Sequence, residues 1–279
     1  METHVTVLCE NSVGEIGLIG EHGFSSFIER ADEKFLFDTG PGMSLPHNVK
    51  ALMKGLPGVS EIMLSHGHRD HTGGLKWAVE QVPGVEIVAH PDIFIEHMAA
   101  NPKKPDEQPR RVGCAFDQES LEQLGARFRF VSLTTELRPG LWFVTGIKRK
   151  PDQQPHDPRL VTPEGERLIS DPMTDDASLL FERQGPPVLL LGCAHAGVMN
   201  ILDHLEQEMG INKLYAVLGG THLKFFSPEY IPRVIDRLEA FSVELVGVSH
   251  CTGWKAQVEL AKHFGDRFVP ASVGSSFVF

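Results

Sequence analysis

The segment 61–75 reads EIMLSHGHRDHTGGL. His66, His68, Asp70 and His71 fall within six residues of it, in the spacing H-x-H-x-D-H. A hydrophobic core has no use for four such groups side by side. Neutral imidazoles and a carboxylate are, however, good ligands for zinc, iron or manganese. On an irregular loop after the apolar run Ile62–Leu64, this spacing can turn His66 and His68 one way and Asp70 and His71 another. One loop does not close a metal site, so further donors are needed. Three more histidines stand in comparable places: His195 in GCAHAG, His222 in GGTH and His250 in SHCTG. Each follows an apolar run that gives way to small residues. Sites in open α/β sheets lie at the carboxyl ends of strands, which is where such loops fall.

The flanking pattern predicts the elements that would hold these loops. In the first third, Val5–Leu8, Phe35–Phe37, Ile62–Leu64 and Val85–Val88 read as short strands, and Leu45–Leu56 and Leu75–Val82 as helices. In the last third, predicted strands Val188–Leu191, Leu214–Leu218 and Glu244–Val248 alternate with predicted helices Val198–Glu208, Glu229–Ala240 and Lys255–Phe264. Pro228 stands at a suitable helix start. Alternation of this kind implies helices packed on the faces of a sheet, an α/β fold. The middle is different. Asn101–Arg111 and Arg149–Asp171 are charged and rich in proline, with Asp117–Leu124 between them as a short helix. Long loops inside a compact domain are often functional. We therefore expect one domain over 1–279, with 100–175 as an irregular, lid-like insertion over the metal face.

Composition narrows the classes. The 279 residues carry 26 Lys+Arg against 37 Asp+Glu, a net charge of −11. That balance argues against nucleic acid and anionic membranes as partners. No apolar run approaches the length of a bilayer span. The start Met1-Glu2-Thr3-His4 lacks a basic, then apolar, leader. The four cysteines, Cys9, Cys114, Cys193 and Cys251, show no C-x-x-C spacing, so a reduced cytoplasmic protein is expected. Cys193 and Cys251 read as small buried residues packing beneath the histidine loops.

The motifs together resemble the metallo-β-lactamase superfamily. The resemblance spans the chain and implies a four-layered αβ/βα sandwich. FDTG at 37–40 matches an early strand on which Asp38 braces a ligand loop. Within the superfamily, EHGFS (21–25), SHGHRDHTGGL (65–75), GCAHAGVMN (192–200), GGTHL (219–223) and HCTG (250–253) are similar to one group. That group resembles 7,8-dihydropterin-6-yl-methyl-4-(β-D-ribofuranosyl)aminobenzene-5′-phosphate synthase. The resemblance implies two divalent ions, zinc first, with manganese or iron as alternatives. His66, His68 and His195 would hold one, and Asp70, His71 and His250 the other. Most members carry a bridging Asp where this chain has Gly219-Gly220-Thr221-His222, so the second ion is the less secure.

The implied chemistry is hydrolysis of a small anionic, phosphate-bearing ester by a metal-bound hydroxide. Asp70 would direct the nucleophile's proton, and His222 would serve as general acid or oxyanion donor. Lys148, Arg149 and Lys224 are candidate clamps for the anion, and His22 a candidate pocket residue by resemblance. The Gly274-Ser275-Ser276 backbone could meet a phosphate. Asp175 and Asp176 are either turn acids or groups behind the ligands. Two other functions stay open: a pterin-type synthase, and a metal-containing ligand-binding or sensor protein with little catalysis. A homo-oligomer is compatible with all three.

Overall fold

The computed structural model describes residues 2–104 and 106–279; Met1 and Pro105, the latter within the predicted loop Asn101–Arg111, lie outside it. Two large sheets face each other. In the first, the order across the sheet is Ser276–Val278, Thr3–Cys9, Ser25–Arg30, Glu33–Phe37, Val59–Met63, Glu86–Ala89 and Arg127–Phe130. From Glu33–Phe37 onward its strands are parallel. In the second, the order is Leu245–Ser249, Ala216–Gly220, Gly185–Leu191, Ser178–Arg183, Leu141–Val144 and Thr135–Arg138. The first three of these are parallel.

Side chains alternate across a strand, so a strand buried on both faces reads as a continuous apolar run. In Glu33–Phe37, Phe35 and Phe37 enter the core between the sheets, while Leu36 faces the outer helices. In Gly185–Leu191, Val188 and Leu190 face the other sheet, and Leu189 and Leu191 face helices. Helix Val198–Met209 lays Val198, Ile201, Leu202 and Leu205 on the second sheet and stops at Gly210, left-handed with φ 67°. Helices Tyr230–Ala240 and Trp254–Phe264 cover the same face. Ser44–Ala51, Leu75–Gln81 and Gln118–Gln123 contribute Leu45, Leu75 and Leu121 to the core on the opposite side. Helix, sheet, sheet, helix is the four-layered α/β sandwich expected.

Two expectations change. The predicted helix Leu45–Leu56 is shorter, Ser44–Ala51, and Met53 follows it at φ 54°. Residues 100–175 are not one irregular insertion. Arg127–Phe130 closes the edge of the first sheet, and Thr135–Arg138 and Leu141–Val144 belong to the second. The run LWFV reads as a strand from the sequence, as it is, whereas RFRF is four residues, too short for periodicity to separate it from loop. What remains as a flap is a separate four-stranded antiparallel sheet of Arg167–Ser170, Leu160–Glu164, Met98–Ala99 and Arg110–Arg111. Among the described residues, no helix is long and apolar enough to cross a membrane.

Candidate metal centre

The carboxyl ends of the strands in both sheets converge at one edge of the sandwich. Val59–Met63 delivers His66, His68, Asp70 and His71. Gly185–Leu191, Ala216–Gly220 and Leu245–Ser249 deliver His195, His222 and His250. His66, His68 and His195 each offer a donor atom within 4.8 Å of the others. His66 Nε2 and His68 Nδ1 are 3.1 Å apart. Alongside, His250 Nε2 lies 3.3 Å from His71 Nε2 and 3.4 Å from Asp70 Oδ2. All six ligand candidates are thus brought together, the five imidazoles buried and Asp70 partly open to solvent.

The ligand loops are braced from behind. Asp38 accepts from Ser65 N (2.7 Å), Ser65 Oγ (2.6 Å) and His71 Nδ1 (2.6 Å). Ser65 Oγ in turn lies 2.8 Å from His66 Nδ1. These bonds hold the Nδ1 sides of His66 and His71 and leave Nε2 of each facing the site, as ligand-orienting carboxylates do. Asp176 accepts from His195 N and Ala196 N, both at 2.9 Å, and Asp175 accepts from Gly67 N at 2.6 Å. Gly67 is required there, because a Cβ would stand 2.4 Å from the Ile93 carbonyl oxygen. Glu10 accepts from His250 N at 2.6 Å, and Asn11 Oδ1 sits 3.0 Å from His250 Nδ1. Asp38, Ala194, His222 and His250 all adopt positive φ, between 51° and 56°. Strained backbone of this kind clusters at functional sites.

Electrostatics favour neutral donors. Burial, with His71 beside it, holds His66 well below the usual histidine range, and burial, with His222 beside it, does the same for His195. Burial and His97 bring His68 down to about 4. His71 differs: burial opposes its charge, but Asp38 outweighs burial and pushes it up to about 9. Burial also opposes charge on Asp70, yet the His250 hydrogen bond and nearby imidazoles hold its carboxyl well below the carboxylate range.

The donor set fits divalent cations. His68 Nε2, His195 Nε2 and both ring nitrogens of His222 are buried with no hydrogen-bond partner. A buried polar atom left unpaired costs about 1–3 kcal/mol, a cost that ligation removes. His222 stacks on Phe225 and lies 4.2 Å from the His195 ring, centroid to centroid.

The proposed substrate groups divide. Lys224 and His22 line the cleft above the donors, with His22 Nε2 3.7 Å from Asp70 Oδ2. Lys148 and Arg149 do not reach it. Lys148 pairs with Glu208 at 2.6 Å, and Arg149 donates to the Pro172 and Met173 carbonyls. Arg149 therefore supports the loop that carries Asp176 rather than a substrate. The adjacent Lys148 and Arg149 show charge in the sequence but not direction. The backbone of 274–276 joins the first sheet's edge instead of a phosphate site. Sequence reasoning missed Arg159, Arg110 and Arg111 on the cleft wall. His97, which no sequence motif marks, is also close to the site: it is fully buried, 2.6 Å from Asp171 and 5.0 Å, ring to ring, from His68. Its signal was present only as a histidine in an apolar stretch.

The cleft has a volume of about 1580 Å³. Leu223, Phe225, Phe226, Ile231 and Trp254 form an apolar wall, and Arg110, Arg159, Lys224 and Lys255 supply positive charge. Arg159 is held by Asp157 (2.6 and 2.8 Å) and lies over the Phe225 ring.

Comparison with known proteins agrees with this fold. The sequence profile of the Metallo-beta-lactamase superfamily matches residues 18–220. The 7,8-dihydropterin-6-methyl-4-(beta-D-ribofuranosyl)-aminobenzene-5'-phosphate synthase of Methanocaldococcus jannaschii is 28% identical over 268 residues, 93% of this chain and 90% of that one. The crystal structure of Tm1679, a metal-dependent hydrolase of the beta-lactamase superfamily, superimposes with TM-score 0.82 at 24% identity, covering 99% of this chain and 98% of that one. A diphosphatase of the PhnP family gives TM-score 0.57 at 13% identity, covering 100% and 98%. With its profile matched over most of the chain's length, the chain belongs to the metallo-beta-lactamase superfamily.

Proposed function

We propose that the protein is a metal-dependent hydrolase of small anionic esters, phosphate-bearing ones first. The observation that carries this reading is the buried imidazole cluster with unpaired ring nitrogens at the floor of a cationic cleft. When bound there, divalent cations supply Lewis acidity and ease deprotonation of water near neutral pH. The protein's own groups do the rest. Asp70, the partly open carboxylate of the floor, accepts and directs the nucleophile's proton. His222, with both ring nitrogens free, gives a proton to the leaving group. Lys224 and Arg159 hold the anion. The apolar wall orients the remainder and excludes water.

The test is turnover of a panel of phosphomonoesters, phosphodiesters and carboxyl esters by zinc- or manganese-loaded protein. Turnover that disappears in His68→Ala is expected. Metal-replete protein inert toward the whole panel overturns the reading.

A second reading has one specific support, the 28% identity to the M. jannaschii synthase over nearly the full length of both chains. In that case the floor would hold a phosphorylated aminobenzene riboside while Phe225, Phe226 and Trp254 pack a pterin ring. Joining the arylamine nitrogen of ribofuranosylaminobenzene phosphate to a dihydropterin-methyl carbon that carries a leaving group, with release of that group and the amine proton and with no ester turnover, would select this reading.

A further inference from the structure

We propose that the Cys193 thiolate is a metal ligand shared by the two halves of the site, supplying the anionic donor that the Gly219–His222 turn does not. The inference rests on the metal reading above. Its first support is position. Cys193 groups with His66 and His71, with His195 and His222, and with His250 and Cys251, each time with donor atoms within 4.8 Å. Its sulfur therefore borders donors from both expected ligand sets. It lies 3.1 Å from His71 Nε2, on the side of that ring opposite Asp38. The thiol faces the nitrogen left free to ligate.

The second support is charge. Five of the six expected ligands are imidazoles, and Asp70 is the one carboxylate among them. Asp38 is already engaged by His71 and Ser65. Two buried dications with a single anionic ligand leave a large uncompensated charge. A thiolate ligand at Cys193 would supply a second negative charge.

The third support is steric compensation. A Cβ on Gly220 would stand 2.5 Å from the Gly192 carbonyl oxygen, 2.7 Å from Cys251 Sγ and 3.4 Å from Cys193 Cα. A side chain at 220 and the present course of the Cys193 loop exclude each other. The turn carries no side chain at 220, and the space a Cβ would take there is bordered by the Gly192-Cys193 backbone and by Cys251 Sγ. Cys251 has a different task. Its Sγ donates to the Cys193 carbonyl at 3.4 Å and accepts from His222 N at 3.3 Å, tying the two loops.

Metal binding releases the thiol proton to solvent, since the thiolate is the ligating form. A sulfur ligand also biases the site toward zinc, iron or cobalt over magnesium and calcium. The experiment is cobalt loading of reduced protein, read by absorption and elemental analysis. Wild type should show a near-ultraviolet sulfur-to-cobalt charge-transfer band. Cys193→Ser should lose the band and bind its weaker equivalent of cobalt about tenfold or more loosely. Cys251→Ser should keep the band. Cobalt bound without the band, or a band that survives Cys193→Ser, overturns the proposal and leaves the metal reading standing. No cobalt uptake overturns both. Should Cys193→Ser not fold, X-ray absorption of the zinc forms of wild type and Cys251→Ser decides. A sulfur shell near about 2.3 Å in both supports the proposal, and its absence from either refutes it.

Discussion

The floor and the roof of the cleft are built on opposite terms. On the floor, every donor loop caps a strand of a large sheet, and buried acids fix the loops through backbone and ring hydrogen bonds. In the roof, the small sheet exposes all of Arg167–Ser170 and both residues of Arg110–Arg111. Its interior anchor is His97, clamped by Asp171. Rigid elements locate donors to fractions of an ångström, whereas loosely attached ones tolerate change. Under the proposed function, the contrast would put chemistry on the floor and selection of substrate in the roof.

The strongest test of that division is His68→Ala. We expect loss of bound metal and a fall in kcat/KM of about a thousandfold or more, measured with elemental analysis alongside kinetics. A roof variant with an equal effect would break the division. Chelation should come next. Metal present at a thousand times its Kd stabilises by about 4 kcal/mol, so stripped protein should unfold at correspondingly lower urea. Asp176→Asn should weaken metal binding by about 10- to 100-fold through the His195 loop it braces, without touching an ion. Deleting Lys103–Arg110 should raise KM about tenfold while changing unfolding free energy by less than about 1 kcal/mol; a large loss of stability would make the roof structural.

The smallest effect concerns pH. Asp157 is held below the usual carboxylate range because, although burial raises it, the hydrogen bonds from Arg159 outweigh burial. A depressed carboxyl contributes stability above its unfolded pKa and loses it as pH falls through the folded value. Asp157→Asn should therefore flatten the acid limb of the stability–pH curve slightly. An unchanged limb would show that Arg159 is not pinned in solution.

The floor was far more legible in the sequence than the roof. H-x-H-x-D-H is local, so its chemistry can be read without a fold. The apolar runs preceding His195, His222 and His250 announce strands by length and composition. Asp175, Asp176 and Glu10 could not be assigned that way. An acid near a strand end looks the same whether it faces water or a backbone N–H across the site, and only tertiary packing distinguishes them. Lys148 and Arg149 failed for the complementary reason, since their partners Glu208 and the Pro172 carbonyl are remote in sequence. Cys193 is buried, as its small volume leads us to expect, but its place against His71 Nε2 depends on a loop 122 residues away and shows in no local pattern. The roof's strands pair across gaps of some 60 residues, Met98 with Val161, and no pattern within either segment encodes that partnership.

The donors come from both sheets, His66 to His71 from the first and His195, His222 and His250 from the second. This has a consequence for synthesis. The ribosome releases the first cluster more than a hundred residues before His195 is made. During that interval the early half holds an incomplete set, able to take a stray ion weakly but not to close around it. Tight capture waits until the second sheet docks, so metal retention would mark the completed molecule and separate it from every nascent form.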